Sequence, residues 1–186
     1  MNPLVSILMP VKNTEAFLAD CLQSILDQTE PNWELIAIND HSTDKSSQIL
    51  ADFANRDPRI QVFDNDGEGI IPALRLAYSK SKGELITRMD SDALMPPDKL
   101  AILSQNLSSA GPGSLALGLV EYFAAEPLGR GYENYEKWLN GLIEKGASFD
   151  EIYKECVVPS PCWMVFREDL DNCGAFKSNK YPEDYD

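Results

Sequence analysis

Short apolar runs alternate with amphipathic segments along the first 110 residues. There are four such runs, and the first two are nearly continuous in apolar residues, a pattern typical of strands buried on both faces. The segment that follows each run repeats apolar residues at spacings of three and four, which indicates an amphipathic helix. Strands that alternate with helices favour right-handed crossovers, so we predict an α/β fold with a mostly parallel sheet flanked by helices. The predicted strands are residues 4–10, 33–39, 60–64 and 83–89, and the helical segments are 13–28, 42–57, 67–83 and 96–111.

The ends of these helices carry residues that can cap them. Asn13 or Thr14 can cap the first helix, and Ser42 or Thr43 can cap the second. Their side-chain oxygens can accept hydrogen bonds from the free N–H groups of a first helical turn. The third helix is opened by glycine, and the fourth has proline in its first turn and Gly111 after its end.

The pattern becomes less regular after residue 110. Residues 113–125 predict a strand with an aromatic tail, 132–155 an amphipathic helix and 162–167 another strand. Trp138 belongs to an aromatic stripe of that helix. A place in the core and a platform that stacks on sugar rings are both open for this stripe.

The composition fits a single folded unit. The chain has 186 residues, of which 44% are hydrophobic, enough for a substantial core. The sequence has no internal repeat, low-complexity tract or linker. We therefore predict one domain over residues 1–186, divided into a half at 1–110 and a smaller, irregular half at 111–186.

The net charge limits the partners. The chain carries a formal charge of −14, from 16 Lys and Arg against 30 Asp and Glu. Such a charge opposes binding to nucleic acid and to anionic lipid, but it permits a phosphorylated ligand that arrives with a divalent cation. No apolar stretch approaches about 20 residues, the length that crosses a bilayer, so we predict no transmembrane segment.

The cysteines and the start of the chain indicate a cytoplasmic protein. Cys21, Cys156, Cys162 and Cys173 show no CxxC spacing and have no histidine nearby, which argues against structural zinc. The first residues lack a basic leader and a small-residue cleavage site. Four scattered cysteines without a secretory signal fit free thiols in a reducing compartment.

Two aspartates, Asp90 and Asp92, stand one residue apart where the fourth predicted strand ends. In an extended segment their carboxylates point the same way and repel each other unless a cation lies beside them. Mg²⁺ or Mn²⁺ takes such oxygens and keeps coordination sites open for a substrate phosphate. A solvated surface pair is the alternative. The carboxyl end of a parallel strand is where such sheets bind ligands, which favours a site here together with Asp40 after the second strand.

Four segments carry a resemblance to the family 2 glycosyltransferases. The third is the longest and most specific, because it combines a glycine-opened helix, a Gly-Glu strand entry, the Asp-x-Asp motif and a following Pro-Asp-x-Leu. The segments are "VSILMPVKN" (5–13), "ELIAINDHSTDKS" (34–46), "GEGIIPALRLAYSKSKGELITRMDSDALMPPDKL" (67–100) and "CGAFKSNKYPEDYD" (173–186). The resemblance implies the GT-A fold, with its Rossmann-like, mostly parallel sheet and an irregular acceptor-side region.

The resemblance also implies a set of nucleotide-sugar-binding residues. Pro10 and Val11 would form the floor of the nucleobase pocket, and Asp40 would accept a hydrogen bond from a uracil-type N3–H. Asp90 would hold the ribose and help to orient a metal. Gly69 and Ser91 are expected to line the same site.

The implied reaction is an inverting transfer. Asp92 would ligate Mn²⁺ or Mg²⁺ against the diphosphate of a nucleotide-sugar donor, with UDP-sugars favoured. Asp184 would be the general base that takes the proton from the hydroxyl of a saccharide or lipid-linked acceptor. The family works most often in bacterial polysaccharide pathways, so a cytoplasmic enzyme that acts peripherally at the inner face of the membrane is expected.

Several alternatives stay open. Asp40 can simply cap the second helix, Gly69 can be only a turn glycine, and Asp184 can serve a helix dipole. A nucleotide-sugar-binding module without transfer is the second function considered. A receiver domain would need its acid pair after strand one, and a dinucleotide-dependent dehydrogenase would need a GxGxxG there.

The sequence also departs from the family pattern. Lys12 stands where family members often have an aromatic residue that stacks on the base, although a lysine there can approach a phosphate. Asn39 replaces the first member of the common Asp-Asp pair, and His41 replaces a small residue. Ala93 stands where a third acid often follows Asp-x-Asp.

Overall fold

The computed structural model describes residues 2–124 and 127–176. The strands and helices alternate over the first part of the chain as the sequence pattern predicts. The strands are β1 (Val5–Val11), β2 (Trp33–Asn39), β3 (Ile60–Asp64), β4 (Leu85–Arg88), β5 (Leu115–Leu117) and β6 (Trp163–Phe166). The helices are α1 (Leu18–Leu26), α2 (Ser46–Arg56), α3 (Ile70–Lys80), α4 (Lys99–Ala110), α5 (Arg130–Glu144) and α6 (Arg167–Cys173), and short 3₁₀ helices span Ser148–Glu151 and Ser160–Cys162.

The six strands form one sheet in the order β3-β2-β1-β4-β6-β5. β1 pairs in parallel with both β2 and β4, and β2 pairs in parallel with β3. β6 runs antiparallel to both of its neighbours, β4 and β5. The predicted mostly parallel α/β sheet is therefore confirmed.

Helices cover both faces of the sheet, which explains the continuous apolar runs. On one face, Ile7 and Met9 of β1 pack in a cluster with residues of α1, α2 and α4. On the other face, Leu8 packs in a second cluster with Leu74 and its neighbours on α3. Because successive side chains of a strand alternate between faces, a strand with two apolar faces needs a nearly unbroken apolar run.

Pro10 lies inside β1, where a proline cannot donate a ladder hydrogen bond. The pairing of β1 with β4 ends at Leu8 and Arg88, so beyond that point β1 has a strand neighbour only on its β2 side. The Asp40 N–H donates to the Val11 carbonyl on that side over 2.7 Å. The Pro10 nitrogen, which carries no hydrogen, faces the opposite side, where no strand pairs with this part of β1.

The second half is broken into shorter elements than the sequence predicts. The predicted strand 113–125 is reduced to β5, because the Asn140 amide bonds both the N–H and the carbonyl of Val120, at 2.9 and 2.7 Å. The predicted helix 132–155 ends at Glu144. Gly146 follows with φ +64°, and the bonds Gly146 N–H to Ile143 O and Ala147 N–H to Leu142 O form a Schellman cap.

The side-chain caps predicted for the first two helices are wrong, whereas Gly69 and Gly111 flank α3 and α4 as predicted. α1 begins only at Leu18, and the Asn13 side-chain oxygen accepts instead from Thr43 N–H over 2.8 Å. α2 begins at Ser46, whose N–H donates to Asp44 Oδ1 over 2.9 Å. These polar side chains connect the loop after β1 with the loop after β2 and do not cap the helices that follow them. Within the described residues, no helix combines the length and apolar character needed to cross a membrane.

Candidate functional site

A cleft of about 470 Å³ lies at the carboxyl ends of β1, β2 and β4. This edge of a parallel sheet is where α/β folds bind ligands. The cleft contains all of the predicted nucleotide-sugar and metal residues that the structure describes, whereas Asp184 lies outside the described residues. Its lining residues are Pro10, Val11, Lys12, Thr14, Asp40, Gly69, Ile70, Arg88, Asp90, Ser91, Asp92 and Ser160.

Asp40 is the most buried carboxylate of the cleft, with 3% of its surface exposed. Its Oδ1 accepts from Asn65 Nδ2 over 2.7 Å, and its Oδ2 accepts from Lys12 Nζ over 3.0 Å. The Gly69 N–H is shared between both oxygens, at 3.1 and 3.2 Å. The alternative in which Asp40 caps α2 is therefore wrong, since its oxygens bond Asn65, Lys12 and Gly69, while the Ser46 N–H at the start of α2 donates to Asp44.

These contacts keep Asp40 ionised. Burial alone would raise the pKa of Asp40, but the hydrogen bonds from Asn65, Lys12 and Gly69 N–H together lower it below its ordinary value. A buried carboxylate that stays charged in this way is an acceptor only, so it selects donors.

Gly69 is required by its backbone as well as by its contact with Asp40. It has φ +94° and ψ 177°, a region that is essentially restricted to glycine. This conformation points its N–H at Asp40 while its carbonyl accepts from Asn65 Nδ2 over 3.1 Å. α3 begins at the next residue, as the glycine-opened pattern predicts.

The Asp-x-Asp motif lies in a turn after β4 and not in the extended segment that the sequence suggests. The Ala93 N–H donates to the Asp90 carbonyl over 3.1 Å, which closes this turn. Ser91 is buried, Asp92 is exposed, and both aspartates still line the cleft. Oδ1 of Asp90 accepts a hydrogen bond from Arg88 over 3.1 Å.

Four further residues line the cleft although no sequence pattern predicted them, namely Arg88, Ser160, Thr14 and Ile70. Arg88 could have been noticed, because it is a basic residue two positions before an acid pair at the end of a predicted buried strand. Ser160 offered no such signal. It lies in the 3₁₀ helix Ser160–Cys162 just before β6, and the neighbouring Pro161 carbonyl accepts a hydrogen bond from Lys99 Nζ of α4.

The donor set suits a hard divalent cation that shares its coordination with a ligand. Asp90 and Asp92 offer carboxylate oxygens, which Mg²⁺ and Mn²⁺ prefer. Within residues 2–124 and 127–176, no three His, Cys, Asp or Glu side chains are grouped to enclose a metal ion. A cation on these aspartates would therefore complete its coordination with oxygens from water or phosphate.

Two loops at the β2 side of the cleft are fastened together. The Asn13 N–H donates to Ser42 Oγ over 3.1 Å, and the Lys45 N–H donates to Glu15 Oε2 over 2.8 Å. The Glu15 N–H in turn donates to Asp44 Oδ2 over 2.9 Å. These bonds fix the backbone that follows β1, including the position from which the Lys12 side chain projects.

The aromatic stripe of α5 lies at the surface. The rings of Tyr132 and Tyr135 both approach Tyr122, and Tyr135 lies 5.6 Å from Trp138 between ring centroids. Trp138 is half-buried and Tyr132 is 60% exposed. Leu139 is the buried residue of this helix, so the stripe is not part of the main core.

Comparison with known proteins identifies the family. The family model described as glycosyl transferase family 2 matches residues 6–174. The chain belongs to glycosyltransferase family 2. A curated relative, the glycosyltransferase GlyG of Streptococcus pneumoniae, is 35% identical over 108 residues, which cover 58% of this chain and 36% of GlyG.

Two solved structures share the fold. TarS of S. aureus, solved in complex with UDP-GlcNAc, matches with a TM-score of 0.67 at 16% identity over 91% of this chain and 47% of its own. The mannosyltransferase PcManGT of Pyrobaculum calidifontis, solved with GDP-Man and Mn²⁺, matches with a TM-score of 0.64 at 21% identity over 94% and 47%. The predicted GT-A fold is confirmed. The chain spans about half or less of the length of these relatives.

Proposed function

We propose that this chain is the catalytic part of a glycosyltransferase that moves a sugar from a nucleoside-diphosphate donor to a hydroxyl acceptor. The favoured donor is a UDP-sugar, the acceptor a saccharide or lipid-linked saccharide, and the transfer inverts the anomeric centre. One observation carries this proposal. A single cleft has a buried, ionised Asp40 at one side and the Asp90–Asp92 pair at the other.

The spacing of these groups suits a nucleoside diphosphate. β2 and β4 flank β1, so the ends that carry Asp40 and Asp90 are separated by two strand spacings, roughly 10 Å. That span corresponds to the distance from a nucleobase to a diphosphate. A base at Asp40 would then place its phosphates at the aspartate pair, and the volume of the cleft is in the usual range for such ligands.

Each site residue predicted from the sequence has a role in this proposal. Pro10 and Val11 form an apolar floor under the base, and Asp40 recognises its polar edge. Asp90 holds the ribose, while Gly69 and Ser91 line the site beside the two acids. The neighbours solved with UDP-GlcNAc and GDP-Man support a nucleotide-sugar ligand for this fold.

Asp92, supported by Asp90, would hold Mn²⁺ or Mg²⁺. Asp92 is exposed to the cleft, so its carboxylate is accessible to a cation. When bound, such a cation supplies neutralisation of the charge on the departing diphosphate. PcManGT, solved with Mn²⁺, supports a divalent ion.

Asp184 would accept the proton of the acceptor hydroxyl as that oxygen attacks the anomeric carbon. In one displacement the bond from the anomeric carbon to the diphosphate oxygen breaks as the new glycosidic bond forms, which inverts the configuration. The proposal places nucleotide binding in residues 1–110 and acceptor binding in 111–186. It locates the reaction in the cytoplasm, at the membrane face if the acceptor is lipid-linked.

The first test is calorimetric titration of UDP with Mn²⁺ present and then with Mn²⁺ chelated. We expect binding that needs the metal and that is lost in Asp92→Ala. The matched control is Asp52→Ala, which removes an exposed acid of α2. Absence of UDP and GDP binding to the unmodified chain would refute the proposal.

The second test separates transfer from binding alone. Asp184→Asn should keep donor affinity and lose release of nucleoside diphosphate in the presence of acceptor. If the unmodified chain binds donor but releases no nucleoside diphosphate with any acceptor supplied, the alternative of a binding module without transfer is supported.

A further inference from the structure

Lys12 has an arrangement in the cleft that the nucleotide-binding role of Asp40 does not explain. Its Nζ lies 3.0 Å from Asp40 Oδ2, and its side chain is 51% exposed while that of Asp40 is 4% exposed. An ammonium group has three N–H donors. One is used on Asp40, and the described residues provide no partner for the other two at this position in the cleft lining.

Asp40 is already well supplied with donors. Asn65, Gly69 and Lys12 together bond both of its oxygens. A carboxylate has about four lone-pair positions, so these three donors leave Asp40 room for about one more, such as an N–H at the polar edge of a base. The Lys12 ammonium, which Asp40 orients, is a hydrogen-bond donor beside that position.

Lys12 lies on the nucleobase side and not on the phosphate side. It follows β1 directly and leans towards Asp40 at the end of β2. The Asp-x-Asp turn follows β4, on the opposite side of β1. Because the Lys12 ammonium bonds Asp40, it is held at the β2 side of the cleft.

We infer that Lys12 is a specificity-determining residue that donates a hydrogen bond to a carbonyl oxygen of the donor's nucleobase. Asp40 holds the Lys12 ammonium in place for this contact. The inference rests on the proposed function, which it deepens by naming the class of base. Bases that present a carbonyl at their polar edge, such as uracil and guanine, are accepted.

Adenine is the base that this arrangement disfavours. It has no carbonyl oxygen, and its acceptors are the ring nitrogens N1, N3 and N7. N1 and N7 lie beside the exocyclic amine, whose N–H groups repel an approaching ammonium, so adenine offers Lys12 a poorer acceptor than a base with a carbonyl at its polar edge. A site that donates a hydrogen bond to one ligand discriminates against a ligand that accepts it poorly.

The test measures the dissociation constants of UDP, GDP and ADP by calorimetry at saturating Mn²⁺. The variants are Lys12→Met, which keeps the length without the charge, and Lys12→Arg, which keeps a donor. The control is Lys82→Met, an exposed lysine at the amino end of β4, away from the cleft. Thermal unfolding of each variant checks that it is folded.

We expect the unmodified chain to bind UDP or GDP at least about tenfold more tightly than ADP, the value of one charge-assisted hydrogen bond. Lys12→Met should remove that preference, because it lowers the affinity for the preferred nucleotide and leaves the affinity for ADP nearly unchanged. Lys12→Arg and Lys82→Met should retain the preference.

Three results would overturn the inference. The first is an equal loss of affinity for UDP, GDP and ADP in Lys12→Met. The second is a gain in UDP affinity in that variant. The third is that the unmodified chain binds UDP and GDP no more tightly than ADP. Each leaves the proposed function standing, because nucleoside diphosphates still bind and Asp92→Ala still abolishes that binding. If no nucleoside diphosphate binds the unmodified chain, the proposed function fails with it.

Discussion

Arg88 donates a hydrogen bond to Asp90 Oδ1 over 3.1 Å, from a side chain that is only 6% exposed. A guanidinium stays charged at every physiological pH. The first acid of the Asp-x-Asp motif therefore has a cationic partner within the protein itself. Arg88 is the last residue of β4, so the sheet fixes the position of this partner.

Replacement of Arg88 should weaken nucleotide binding. In Arg88→Met the Asp90 carboxylate loses the donor that orients it, so we expect UDP affinity with Mn²⁺ to fall about tenfold or more. The UDP affinity of Arg88→Lys should lie between those of the unmodified chain and Arg88→Met, because lysine keeps the charge but not the planar guanidinium. Calorimetry gives the affinities, and urea unfolding shows how much stability each variant has lost. Unchanged affinity in a folded Arg88→Met would mean that Arg88 serves packing alone.

The lowered pKa of Asp40 predicts how stability depends on pH. A carboxylate whose pKa is lowered on folding stabilises the fold fully above its unfolded pKa, near 4, and this contribution is lost as pH falls through the folded pKa. We expect the free energy of unfolding to fall more between about pH 6 and pH 3 in the unmodified chain than in Asp40→Asn. Urea unfolding at each pH measures both. Parallel curves would show that Asp40 contributes nothing to this dependence.

Cys21 should be inert to thiol reagents in the folded protein. Burial raises the pKa of Cys21 to about 12, with the negative charges of Asp92 and Asp90 adding to the effect. At pH 8 only about one thiol in ten thousand would then be ionised, and the thiolate is the reactive form. Cys173 is exposed. Iodoacetamide followed by peptide mass spectrometry should find Cys173 modified first and Cys21 only after denaturation, and equal rates would contradict this.

Much of the fold was predictable from the sequence because its signals are local. β1 and β2 are nearly continuous apolar runs, and α3 follows a glycine whose backbone conformation few other residues adopt. The same edge of the sheet gathers the predicted Asp40, Asp90 and Asp92 because parallel strands end together. Their functional roles stay predictions.

The features that were missed depend on contacts between distant residues. Asn13 could not be recognised as a partner of Thr43, since they are 30 residues apart and the bond exists only once β1 and β2 are paired. β5 is short because Asn140 takes the hydrogen bonds of Val120, which no periodicity within 113–125 reveals. Ser160 reaches the cleft through the position of β6, and the sequence around it has no pattern of its own.

The amino end of β4 provides a stability test that is separate from function. A Cβ at Gly83 would lie 2.6 Å from the Leu4 carbonyl and 2.6 Å from Ser6 Oγ, so both backbone and side chain oppose it. The Gly83 N–H also donates to Ser6 Oγ over 2.7 Å. We expect Gly83→Ala to lower the free energy of unfolding by about 1–3 kcal/mol or more, because overpacking of a buried site forces the backbone to shift.

Gly141 is the matched control for this substitution. It lies inside α5, and a Cβ there would meet nothing within 4 Å, so Gly141→Ala should stabilise the chain by up to about 1 kcal/mol. Urea unfolding measures both variants. Gly83 lies at the opposite end of β4 from the cleft, so the folded fraction of Gly83→Ala should keep its affinity for UDP with Mn²⁺. A fall in that affinity would mean that strain at this end of β4 reaches the Asp-x-Asp turn, and equal stability of the two variants would contradict the predicted clash.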